Sequence, residues 1–207
     1  MSIEEKEVYM EGSNARMGQI YAKLYYYLAR ELVTFGKEGE KALRKGIREF
    51  AKDRGETMRR IAENMGLPLT YETEAKLHDM PFREICQESA KYFPENNADY
   101  SSEGFCPYAE WWGMYPDGTK LGKIYCDEFH HAQWAAFNPK HRVDMVEKIT
   151  EGDPKCTLVS YVEGDDYDKK RRKTINEICE KTKCYGFVVD SSEYGDLNLA
   201  CKKRAHE

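Results

Sequence analysis

Asn14 to Gly36 reads NARMGQIYAKLYYYLARELVTFG, and its spacing decides how the chain begins. Met17, Ile20, Tyr21, Leu24, Leu28 and Leu32 recur at intervals of three and four, the period of one face of an α-helix. Ser13 and Asn14 are residue types that cap a helix start, and Gly36 is a stop. The same intervals return from Gly39 to Met65 through Leu43, Ile47, Phe50, Met58, Ile61 and Met65, with Gly55 interrupting the run and Gly66 ending it. Two helices joined by so short a connection predict an αα-hairpin. Both stripes, the run Tyr25-Tyr26-Tyr27 included, are expected to be core packing or a dimer face rather than ligand contacts.

Downstream the pattern changes. Pro68 and Pro81 mark residues 67 to 83 as a connection with a short strand around Leu69 to Tyr71, and 83 to 92 is read as a short helix. Lys120 to Phe137, KLGKIYCDEFHHAQWAAF, places Leu121, Ile124, Tyr125, Phe129, Ala132 and Ala136 on one helical face and stops at Asn138-Pro139. Thr157 to Val162 and Tyr185 to Val189 read as strands, as does Asp196 to Lys202, with a charged helix from about 168 to 182 between the first two. Helices first and strands afterwards is an α+β order: an N-terminal helical hairpin and further helices packed on a small antiparallel β-sheet.

The chain has 207 residues, a length for one domain or at most two. Its 32 basic and 37 acidic residues leave a net charge of −5, so no basic face announces nucleic acid or an anionic membrane as a partner. A hydrophobic content of 41% with 13% aromatics supplies a core, which excludes global disorder. No stretch approaches the 18 or so apolar residues of a membrane span, and Glu4, Glu5 and Lys6 occupy the place of a signal peptide's apolar core. A cytoplasmic protein is the expectation. Seven cysteines, an odd number without CxxC pairs, argue against a disulfide scaffold and leave free thiols, catalysis or a metal.

Cys126, Asp127, His130 and His131 fall within six positions. On a helix Cys126 aligns with His130 and Asp127 with His131. A cysteine beside an imidazolium can be held as thiolate, a carboxylate can orient a second ring, and the same side chains are transition-metal ligands. The bland alternative is coincidence on a half-exposed helix. Cys106-Pro107 precedes Ala109-Glu110-Trp111-Trp112, an aromatic cluster suited to a pocket or simply to packing over a buried thiol. Cys156 follows the turn Gly152-Asp153-Pro154 into the strand TLVSYV. Cys86, Cys179, Cys184 and Cys201 are expected to be structural. No phosphate-binding glycine loop, HExxH, GxSxG or dinucleotide fingerprint is present.

Cys106-Pro107, Cys126-Asp127, Phe137-Asn138-Pro139 and Glu151-Gly152-Asp153 with Cys156 three residues on, in that order, resemble the L-2-amino-thiazoline-4-carboxylic acid hydrolase family of bacteria. Gly46-Ile47-Arg48-Glu49-Phe50 with Arg54-Gly55 fits that family's lead-in, and the similarity covers roughly residues 35 to 162. The Gly-Asp-x-x-Cys turn also resembles the end of 4-vinyl reductase type ligand-binding domains, a helical layer over an antiparallel sheet. The expected organisation is a single domain over 1–207: a helical lead-in at 1–66, a family-like core at 67–162, and a C-terminal helix and strands at 163–207 that complete the sheet.

The resemblance implies hydrolysis of a C–N bond in a small cyclic amidine-like or thiazoline compound. Two mechanisms fit the residues. In one, a thiolate from Cys106, Cys126 or Cys156 attacks the ring carbon, His130 or His131 moves protons, Asp127 orients the imidazole, and Asn138 or backbone N–H groups hold developing negative charge. In the other, Cys106, Cys126, His130 and Cys156 are candidate ligands of zinc, which activates water or braces the fold. Trp111, Trp112, Tyr125, Trp134 and Asp153 are the candidate substrate contacts. A zinc- or iron-containing binding or sensor domain without turnover is the alternative from another class. Expected partners are a small-molecule substrate and a second copy, as a homodimer or higher homo-oligomer, with no nucleic acid and no membrane.

Overall fold

A computed structural model describes residues 3–78, 87–93, 98–164 and 177. Helix α1 spans Ile3–Val33 and α2 spans Gly36–Asn64, with Gly36 and Gly66 in the left-handed conformation where the sequence predicts stops. The two helices form the expected hairpin, and Tyr21 stacks on Phe50 across it at 5.9 Å. Gly55 does not interrupt α2. A Cβ there would lie 2.1 Å from the Gln133 carbonyl oxygen, so this glycine is the point where α2 lies directly against a later helix.

The packed face of α1 also differs from the expected one. Met17, Ile20, Leu24 and Leu28 are 57 to 61% exposed, while Ala22, Tyr25, Tyr26 and Ala29 are buried. The tyrosines win because their hydroxyls find acceptors: Tyr25 donates to the Leu121 carbonyl at 2.7 Å and Tyr26 to the Pro116 carbonyl at 3.3 Å. Each ring therefore brings a large apolar area inside without an orphaned polar group.

Residues 69–71 are not a strand. Thr70 is the N-cap of α3, Tyr71–Leu77, and accepts the Thr73 backbone N–H, with Glu72 and Glu74 in the first turn. The helix read at 83 to 92 is likewise corrected, since Gln87–Phe93 is strand β1. Its local sequence has no decisive period, and pairing with β2, Ala98–Glu103, decides the conformation. Helix α4, Pro107–Gly113, and helix α5, Gly118–Phe137, follow. Strand β3, His141–Glu147, leads through a 3₁₀ turn at Ile149–Glu151 into β4, Cys156–Val162.

The sheet is antiparallel throughout, in the order β1-β2-β4-β3, so the architecture is α+β with helices dominating. One core joins Leu43, Ile47 and Ala51 of α2 to Trp112, Leu121, Tyr125 and Phe129. Another, holding Tyr71, Trp134, Val143, Cys156 and Leu158, lies against the sheet. Helix α5 contributes to both and separates the helical side from the strands. Among the described residues no helix is long and apolar enough to cross a membrane. The strands read at 185–189 and 196–202, most of the helix read at 168–182, and Cys86, Cys179, Cys184 and Cys201 lie outside the described residues.

Candidate functional site

Between α5 and the sheet lies a cavity of about 70 Å³. Four of the six side chains that the sequence offers from its Cys and His clusters reach its wall: Cys106 from the N-cap of α4, Cys126 and His130 from α5, and Cys156 from the first position of β4. Helical spacing explains the middle pair, since Cys126 and His130 are i,i+4 neighbours on the face that carries buried Phe129 and Tyr125.

Asp127 and His131, one position round the helix, do not line it. His131 is exposed. Asp127 accepts from Lys123 at 2.9 Å and from Lys148 at 2.9 Å. Partial burial alone would raise the Asp127 carboxyl, but the two ammonium groups outweigh it and hold the carboxyl below the usual carboxylate range. Asp127 thus ties α5 to the turn before β4. The Asn138 amide N–H donates to the Leu69 carbonyl at 2.7 Å and its oxygen accepts from the Lys140 N–H at 2.9 Å.

Of the aromatic candidates, Trp112, Tyr125 and Trp134 line the cavity. The Trp112 indole N–H donates to the Ala22 carbonyl at 3.0 Å, and Tyr125 stacks on Phe129 at 4.8 Å. The close approach of the Trp112 ring requires a glycine at 122, where a Cβ would sit 2.2 Å from the ring. Trp111 instead packs outside under the Lys23 ammonium, 4.8 Å from its centroid. Asp153 accepts the Lys148 backbone N–H at 2.7 Å and closes the turn; it does not line the cavity.

The wall also carries residues that the sequence reading missed. Glu103 and Ser101 come from β2, a strand of mostly polar residues, ADYSSE, that gives no hydrophobic alternation to read. His78 follows α3 and lies 3.3 Å from the Gln133 side-chain nitrogen. Cross-strand register was the missing information: Glu103 pairs with Cys156, and Ser101 with Leu158.

Burial governs the thiols. It pushes Cys126 up to about 12 and Cys156 up to about 11, and it raises Cys106 further still. On Cys156 the push is opposed by the Ile149 backbone N–H, 3.4 Å from Sγ, and by the Lys148 charge. Burial thus favours the protonated thiol at all three positions. Among the described residues no group of three or more His, Cys, Asp or Glu side chains is placed to hold a metal ion. Cys106, Cys126, His130 and Cys156 share a cavity wall without forming a ligand set.

A family model described as L-2-amino-thiazoline-4-carboxylic acid hydrolase matches residues 13–159, well over half of the chain. No curated protein and no solved structure matches.

Proposed function

The chain belongs to the L-2-amino-thiazoline-4-carboxylic acid hydrolase family, and on that premise we propose that it hydrolyses the cyclic amidine of a small thiazoline carboxylic acid or a close ring analogue, with Cys156 as nucleophile. The observation that carries this reading is the convergence of three thiols and an imidazole on one enclosed aromatic cavity. Such a wall suits a flat ring, and the sulfur attacks the carbon of its C=N bond.

Cys156 is chosen over its neighbours on electrostatics. Its thiol is raised least of the three, and it accepts a backbone N–H while facing Lys148. A backbone donor and a nearby positive charge stabilise sulfur as it gains negative character. His130, on the opposite wall, moves the proton to the departing heteroatom, and Trp112, Tyr125 and Trp134 hold the ring. Cys106 and Cys126 shape the wall. At about 70 Å³ the cavity is smaller than the roughly 150 Å³ of an engineered cavity that holds benzene, so a thiazoline carboxylic acid enters only as the wall gives way. The flexible Met145 side chain is the lining residue best able to give way.

The experiment is direct. Purified protein is incubated with L-2-amino-thiazoline-4-carboxylate, and the product is sought by mass spectrometry as the substrate plus one water. Such a product from the wild type and none from Cys156→Ser supports the reading. Saturable binding without product assigns the protein to the binding or sensor class instead. We further propose a cytoplasmic homodimer formed through the exposed aliphatic face of α1.

A further inference from the structure

A neutral, buried thiol is a poor nucleophile, so a cysteine mechanism in this cavity needs a group that removes the thiol proton during attack. His130 enters the cavity wall from α5, whereas Cys156 enters it from the sheet. The side chain beside Cys156 in the sheet is a different one. Glu103 is its register partner across β2 and β4, and directly paired residues on antiparallel strands project to the same face with Cβ atoms roughly 4.5–5.5 Å apart. Both side chains line the cavity, and among the described residues Glu103 is the one carboxylate that does so.

We propose that Glu103 is the general base of the reaction, taking the proton from the Cys156 thiol as the sulfur attacks. This inference rests on the reading of Cys156 as nucleophile. As the Sγ–C bond forms at the amidine carbon, the thiol proton passes to the Glu103 carboxylate. The π electron pair of the C=N bond moves to nitrogen, and Glu103 returns the proton to that nitrogen. The step is redox-neutral and consumes no co-reactant; it moves one proton from sulfur to nitrogen.

The electrostatics agree with this placement. The Glu103 charge adds to the burial that raises the thiols of both Cys156 and Cys106, so its carboxylate acts on both. The other titratable groups around Cys156 are Cys106 from the cap of α4, Cys126 and His130 from α5, His78 after α3, and Lys148 and Asp153 from the turn. Lys148 lowers the thiol, and Asp153 raises it from a position outside the cavity. Among the described residues Glu103 is the carboxylate that both pairs with Cys156 across the strands and lines the space where a ring would sit.

The test uses two readouts that a base moves in opposite directions. Alkylation of Cys156 by iodoacetamide, mapped by mass spectrometry across alkaline pH, should titrate toward about 11 in the wild type. In Glu103→Gln the titration should shift down toward the ordinary thiol range and alkylation at pH 9 should quicken severalfold, because a negative charge has been removed. In the same variant kcat for L-2-amino-thiazoline-4-carboxylate should fall by roughly a hundredfold or more, with KM little changed, and Glu103→Asp should recover part of the loss. An unmoved alkylation profile, or wild-type kcat in Glu103→Gln, overturns the proposal. If the wild type binds the thiazoline without turnover, the functional reading fails while the alkylation shift still reports whether Glu103 faces the thiol. Should Glu103→Gln lose its near-UV circular dichroism, Glu103→Asp decides: unchanged alkylation with reduced kcat supports the base, and unchanged kcat removes it.

Discussion

At the scale of single residues, the thiols carry the sharpest expectations. Cys156→Ser should lower turnover by more than roughly a hundredfold, as loss of a covalent nucleophile does, and equal kinetics in variant and wild type would remove Cys156 from the reaction. A second expectation follows from burial alone. Cys126 and Cys156 hold their protons up to about 12 and about 11 in the folded state, whereas an unfolded thiol ionises near 8.5. The stabilisation is fully present below the unfolded value and is lost as pH rises toward the folded values, at about 1.4 kcal/mol per pH unit for each thiol. Urea denaturation between pH 8 and 10 should therefore show a steeper loss in the wild type than in a Cys126→Ala/Cys156→Ala double variant, and parallel slopes would refute buried, protonated thiols. Helical spacing made the Cys126–His130 pair legible in the sequence. Spacing could not tell it from the adjacent Asp127–His131 pair, because both satisfy the same rule and only packing against the sheet selects one. Glu103 was illegible for another reason: it faces Cys156 through a cross-strand register, and nothing in the polar run ADYSSE fixes that register locally.

At the scale of elements, the contact between α2 and α5 fixes how the cavity is roofed. Arg44 and Arg48 of α2 both bind Glu128 of α5, Arg44 at 2.9 Å, and the Arg54 guanidinium lies 4.8 Å from the Phe129 ring centroid. Glycine at 55 lets the backbones meet, since a Cβ there would also fall 2.9 Å from Ala136 Cβ. In an exposed helix, glycine to alanine gains up to about 1 kcal/mol. Here overpacking should outweigh that gain, so Gly55→Ala is expected to destabilise by roughly 1–3 kcal/mol in urea titration; a stabilised variant would show that the helices are not in backbone contact. Gly122→Ala acts on the site itself. The added methyl must displace the Trp112 ring, and KM for the thiazoline should rise more than kcat falls, a split readable by steady-state kinetics. The long helices were legible because a period of three and four persists over many turns. Strands β1, β2 and β3 were not, being short segments whose conformation comes from pairing partners rather than from their own pattern.

At the scale of the whole molecule, the unanswered feature is the outer face of α1. Met17, Ile20, Leu24 and Leu28 form a stripe more than half exposed, although α1 is already held by Tyr25, Tyr26 and Ala29 on its other side. Among the described residues nothing covers the stripe. A second copy laid antiparallel about Leu24 would set Ile20 against Leu28 of its partner and bring exposed Arg16 near the partner's Glu31, which its own chain pairs with Arg30 at 2.7 Å. Full burial of such a side chain is worth roughly 1.5–3 kcal/mol. About half of that for each of the aliphatic residues on two copies is of the order of the lost freedom on association, which predicts a dimer that dissociates on dilution rather than an obligate one. Leu24→Glu should yield a monomer by light scattering at concentrations where the wild type is dimeric. Its thermal midpoint should stay close to the wild-type value at high dilution, because the substituted position faces away from the core. A monomeric wild type would leave the stripe without a role in self-association, and an unfolded Leu24→Glu would mean that α1 depends on that face. Turnover offers a further discrimination. The Ala22 carbonyl, on the buried side of α1, holds the Trp112 indole in the cavity wall, so a monomer that keeps α1 docked should keep its activity, whereas loss of activity with dissociation would make the second copy part of what positions the site.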